Sequence, residues 1–146
     1  MISEHPTRVA ELAKTFKHQW RYEQDTGFIV ARTNGIIDES DAAEYAALYA
    51  RDVPPGEAGF MLCDNRSSTG LTPGARKRFA RDWNPTELYL VGFGQSFAVR
   101  VILNTFMQGL ALIRPQYSVT MVADEEGARA WLTEKRRAYL ARKAKT

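Results

Sequence analysis

Thiol, carboxylate, amide and hydroxyl side chains crowd one stretch of this chain, Gly59 to Thr72: Gly-Phe-Met-Leu-Cys-Asp-Asn-Arg-Ser-Ser-Thr-Gly-Leu-Thr. A nucleophile there would need a base beside it. The two histidines are poor candidates, since His5 lies in an N-terminal extension and His18 on the apolar side of the first strand. Cys63 closes an apolar run and reads as a small buried hydrophobe. Gly92-Phe93-Gly94-Gln95-Ser96-Phe97 starts like a dinucleotide loop, but its third glycine position is Phe97, so the fingerprint fails. Asp38, Glu39, Asp41 and Glu44 crowd a helix start, where the helix dipole accounts for them without a metal. No Cys/His cluster has metal-ligand spacing, and no cofactor is expected.

Anion or partner recognition fits the residue types better. Thr72 before Pro73 reads as a helix N-cap, with Arg76 one turn on. Ser96 caps a second helix, with Arg100 one turn on, and Asp64 and Arg66 stand upstream of the first. Free backbone donors, the positive dipole end and an arginine together favour an anionic group. As a cap alone, Thr72 is worth about 1 kcal/mol.

These residues need a scaffold that brings strand ends and helix starts together. Phe16, His18, Trp20 and Tyr22 alternate with polar residues, which predicts a half-buried strand. Asp25-Thr26-Gly27 turns the chain, Phe28–Thr33 returns as the second hairpin strand, and Asn34-Gly35 breaks it. A helix follows from Glu39 to Arg51, N-capped by Asp38. Phe60–Cys63 is a short central strand, and residues 64–72 read as a polar loop leading into the helix at Pro73. Leu88–Phe93 is a strand. The helix from Phe97 to about Arg114 is the most apolar element, with Val99, Ile102, Leu103, Phe106, Leu110 and Ile113 expected toward the sheet. Val119–Val122 is the last strand, and Asp124 caps a final helix whose face is Ala128, Trp131, Leu132 and Tyr139. A hairpin followed by alternating strand and helix predicts an α/β fold: a mixed, mostly parallel five-stranded sheet flanked by about four helices.

With 146 residues the chain reads as one domain, 45% hydrophobic and 25% charged. Residues 1–15 form an extension with a possible short helix, 16–133 the domain, and 134–146 the basic end of the last helix and a tail. Residues 135–146 carry Lys135, Arg136, Arg137, Arg142, Lys143 and Lys145 without an acid; removing them turns the net charge from +3 to −3. The short block reads as a solvated helix end rather than a nucleic-acid patch. One cysteine excludes an internal disulfide. No signal peptide and no membrane span are expected, so a cytoplasmic location is the default.

Taken together, the pattern resembles the SpoIIAA-like branch of the STAS domains, the sulfate-transporter and anti-sigma-antagonist modules. The likeness covers roughly residues 16–133. It rests on the strand ending in Asp64-Asn65-Arg66, the helix start Leu71-Thr72-Pro73-Gly74-Ala75, the junction Val91 to Phe97, and the closing Asp124 to Leu132. The resemblance implies a non-enzymatic regulatory or scaffolding role through protein–protein contact, and in some relatives small or lipidic ligands. Regulatory members carry a phosphorylated serine turn at the helix after the central strand. That turn is absent here; Thr72 is the nearest match, with Ser68 upstream.

The expected working surface is the edge at Asp64–Thr72 and Gly94–Arg100, where two parallel strands would set the junctions side by side. The alternative is a small-ligand or lipid-binding protein using the helix Phe97–Ile113 as a pocket wall. Phe97, Val101, Phe106, Met107 and Leu112 would then line a pocket, or an interface in a homodimer.

Overall fold

The computed structural model describes residues 16–145; the possible helix within 1–15 lies outside them. In chain order the elements are β1 (Gln19–Glu23), β2 (Phe28–Ile37), α1 (Glu39–Asp52), β3 (Ala58–Leu71), α2 (Pro73–Asp82), β4 (Glu87–Phe93), α3 (Phe97–Ile113), β5 (Tyr117–Val122) and α4 (Glu125–Ala144). The five strands lie in the order β1-β2-β3-β4-β5, with β1 antiparallel to β2 and the rest parallel. Each parallel crossover steps to the next strand in one direction, so right-handed connections put α1, α2 and α3 on one face. Two apolar clusters follow. Met61, Leu71, Leu88 and Leu90 pack with Tyr45 and Met107 of those helices and with Trp83, the C-cap of α2. Phe28, Phe60, Leu62, Val91 and Phe93 pack under α4 through Ala128, Leu132 and Tyr139.

All four main helices start on the caps the sequence predicts. Asp38 and Asp41 form a reciprocal capping box on α1, and Thr72, Ser96 and Asp124 accept from Ala75, Val99 and Gly127. The basic end of the chain is continuous with α4 to Ala144. It is tied back by Arg142 to Glu87 (2.7 Å) and Lys143 to Glu57 (3.0 Å).

Two expectations are corrected. The polar stretch 64–71 is not a loop. It continues β3, and β2 runs on through Asn34-Gly35 to Ile37 to pair with it, Asn34 opposite Ser67 and Ile37 opposite Leu71. The ladder persists because two register shifts absorb the irregularity; Gly70, at φ 117, takes a backbone conformation that other residues avoid. α3 is also rotated from its expected pose. Met107 faces inward, while Ile102 and Ile113 are exposed. An unbranched methionine fills the uneven space over the sheet better than a stiff β-branched side chain.

His18 ties β1 to this frame. Its Nδ1 accepts from the Asn34 backbone N–H (3.0 Å), which places the ring proton on Nε2. Nε2 stands 3.0 Å from the Asp41 carboxylate, close but poorly aligned for a hydrogen bond. Burial pushes the His18 pKa below 6.5, against the pull of Asp41. Burial alone would raise the Asp41 carboxyl, but the Asp38 backbone N–H and His18 outweigh it and hold it below 3.8. Both groups therefore bind protons more weakly folded than unfolded, and stability falls as pH falls. The His18 contribution is complete above pH 6.5 and is lost below it; the Asp41 contribution is lost below pH 3.8. The thermal midpoint should be level above neutrality and decline below pH 6.5, and His18→Asn should flatten that first decline. Midpoints that fall equally in both proteins would count against this assignment.

Candidate functional site

The β3–β4 ladder ends at Asp64 opposite Phe93, so the β3 residues Asp64-Asn65-Arg66 stand beside Gly94-Gln95-Ser96, where the chain leaves β4. Asp64 is buried, and Arg66 holds it through two hydrogen bonds, Nε to Oδ1 at 3.0 Å and Nη2 to Oδ2 at 2.7 Å. The Arg66 guanidinium, with Arg32 near by, holds the Asp64 carboxyl below its ordinary range. Arg66 also lies 5.4 Å over the Phe93 ring. Its stem crosses Gly94, at φ 77, where a Cβ would overlap Arg66 Cγ. On the opposite side of the sheet, the buried Asn65 donates to Gln95 Oε1 (3.4 Å), and Gln95 Nε2 donates to the Val122 carbonyl (3.3 Å). Gln95 thus links the middle of β3 to the end of β5.

Thr72 does not join this edge. β2 advances from Arg32, opposite Asp64, to Ile37, opposite Leu71, so Thr72 stands roughly 15–20 Å along the strand from Asp64. It lies beside Ile37, to whose carbonyl its backbone N–H donates (2.9 Å). Its hydroxyl accepts from Ala75 N–H (3.0 Å), with Arg76 half-buried on the next turn. The expected surface is therefore divided: Asp64 and Arg66 lie on the α4 side of the sheet, over Phe93; Ser96 and Arg100 belong to the start of α3 on the other side; and Thr72 and Arg76 stand at the start of α2. Ser68 is 8% exposed, and its hydroxyl accepts from Gly70 N–H (3.2 Å). It offers no accessible acceptor for phosphate.

A cavity of ≈ 90 Å³ lies between the sheet and the helices α1, α2 and α3. Its walls include Met61, Cys63, Phe79, Leu103, Phe106 and Met107, with Asn65 among its few polar members. The space is several times the roughly 10–15 Å³ that one water requires. Thr33 and Tyr45 also face it, their hydroxyls 3.3 Å apart. Phe106 and Met107 line this cavity. Phe97, Val101 and Leu112 point outward instead, because they lie on the far side of α3.

Burial pushes the Cys63 thiol up to about 12. It stays protonated at neutral pH, so alkylation at pH 8 should run slower than for free cysteine by roughly 10³; a rate near that of free cysteine would contradict its place in the wall.

A second, larger cleft of ≈ 280 Å³ opens at the other end of the strands, near Asp52, Glu57 and Arg136. Its two carboxylates are paired with Arg51 and Lys143, which leaves no acid–base couple there. Among the described residues no group of three His, Cys, Asp or Glu could hold a metal ion. Nor is any helix among them long and apolar enough to cross a membrane.

No protein-family model and no curated protein matches the chain. Among solved structures it is similar to an uncharacterised DUF3478-family protein with a SpoIIAA-like fold from Shewanella loihica PV-4. The two are 14% identical, with a TM-score of 0.51 over 79% of this chain and 91% of that one. The chain has a SpoIIAA-like α/β fold. Sequence reasoning missed Thr33, Tyr45, Cys63 and Asn65 as cavity residues. The one available signal was that three of the chain's four methionines, Met61, Met107 and Met121, fall at inward positions around it.

Proposed function

We propose that this chain is a non-enzymatic binding module that holds a small, largely apolar ligand between the sheet and α2–α3. The ligand's presence would be reported to a protein partner at the strand-end edge. The observation that carries the reading is the apolar cavity, whose polar member Asn65 also forms the edge through Gln95. A pocket with apolar walls and few polar groups suits a small molecule with one hydrogen-bonding end, such as a short-chain alcohol or acid. Arg66, Ser96 and Arg100 are the residues offered to the partner, with the buried Asp64 fixing the Arg66 guanidinium. Thr72 acts as the cap of α2 and stands apart from that surface.

The test is displacement of a fluorescent apolar probe, N-phenylnaphthylamine, by straight-chain alcohols of increasing length. Ala31→Leu, which fills the cavity from the β2 wall, should weaken binding at least about tenfold. Leu103→Ala should shift the preference to longer chains, and Arg100→Ala should leave binding intact. Unchanged affinity in Ala31→Leu would overturn the reading.

A further inference from the structure

The outer face of α3 is apolar at both ends and polar in the middle. At about 100° per residue, Phe97, Val101, Asn104, Thr105, Gln108 and Leu112 share one strip of the helix surface. Phe97 is 81% exposed and Leu112 87%. Exposure of this kind marks a contact surface. A bilayer is a poor occupant, because the polar centre would enter it together with the apolar ends. α3 also lacks the basic flank of an interfacial helix, since Arg100 is its one charged residue.

We propose that this face binds a second copy of the chain, α3 antiparallel to α3, about a two-fold axis between Asn104 and Thr105. The pattern is self-complementary in that register. Phe97 meets Leu112 of the second copy, Val101 meets Gln108, and Asn104 meets Thr105, so apolar ends cover each other and the polar centre gains hydrogen-bond partners. The charges also agree. The two Arg100 side chains are offset by nine residues, about 13 Å of helix rise, which exceeds the screening length of about 8 Å. Each Arg100 lies beside Gln108 of the other copy, an amide acceptor. Gly109, with open space where a Cβ would stand, lets the two backbones approach on one edge. This pairing is independent of cavity occupancy.

Light scattering on the eluting full-length protein should give the mass of a dimer. Phe97→Glu with Leu112→Glu should raise the dissociation constant more than about a hundredfold with unchanged circular dichroism, since both positions are exposed. Register is read by mild oxidation. Asn104→Cys should yield a covalent dimer, while Val101→Cys, about 10 Å from its copy along the axis, should not. A monomeric wild type overturns the proposal, as does cross-linking of Val101→Cys but not Asn104→Cys. So does flotation of the wild-type protein with phosphatidylglycerol vesicles that is lost in the double variant.

Discussion

Gly59→Ala should destabilise the chain by about 3 kcal/mol, at the upper end of the cost of overpacking a core. A Cβ on Gly59 would overlap the Tyr49 hydroxyl and stand 2.7 Å from the ring carbons Cε2 and Cζ. The ring has little room to yield, being 6% exposed and set edge-on against Trp83 at 5.7 Å. The Tyr49 hydroxyl is buried without a hydrogen-bond partner. Tyr49→Phe should therefore be neutral or stabilising by up to about 1 kcal/mol, because it removes an unpaired buried polar group. In the double variant Gly59→Ala with Tyr49→Leu, the smaller side chain should recover more than half of the loss, giving clear coupling between the sites. Urea denaturation reads all three. A Gly59→Ala cost under about 1 kcal/mol would mean that α1 shifts away from β3 far more readily than this packing implies.

Leu132→Ala should cost about 3–4 kcal/mol. Leu132 is 0% exposed and anchors α4, which among the described residues is the helix that covers this face of the sheet. Its neighbours Phe60, Leu62, Val91 and Phe93 belong to central strands, and those cannot shift inward to fill the gap without breaking the sheet. Leu140, the residue after Tyr139 and 45% exposed, provides the contrast; Leu140→Ala should change stability by less than about 0.5 kcal/mol. Equal effects at the two positions would contradict the placement of α4.

The parts of this fold that were legible in the sequence are those decided locally. Asp38, Thr72, Ser96 and Asp124 each bond to a backbone N–H three residues on, so their spacing alone marks the helix starts. The alternation of strand and helix fixes the parallel sheet and the common face of three helices. The continuation of β3 was not legible. Ser67, Ser68, Thr69 and Gly70 have the composition of a loop, and only the ladder to Asn34–Ile37, more than thirty residues away in sequence, holds them extended. That single difference removes Thr72 from the edge holding Asp64 and Arg66. The rotation of α3 was hidden for a related reason. The polar side of α3, Arg100, Asn104, Thr105 and Gln108, marks which way the helix faces only coarsely, since apolar residues fill the rest of its circumference, and the uneven floor that prefers Met107 is built from distant residues such as Met61 and Met121. Cavity walls and ordinary core use the same side chains, so the pocket had no signature of its own.

The central claim is that the space between the sheet and α2–α3 takes an apolar ligand. Carbon-13 labelling of the methionine methyl groups tests it most directly, since Met61, Met107 and Met121 all line that space. On titration with hexanol, the three methyl resonances should shift together and saturate with one dissociation constant, and Ala31→Leu should abolish the response. Resonances that stay fixed while the same alcohol perturbs only the exposed residues of α3 would contradict the account.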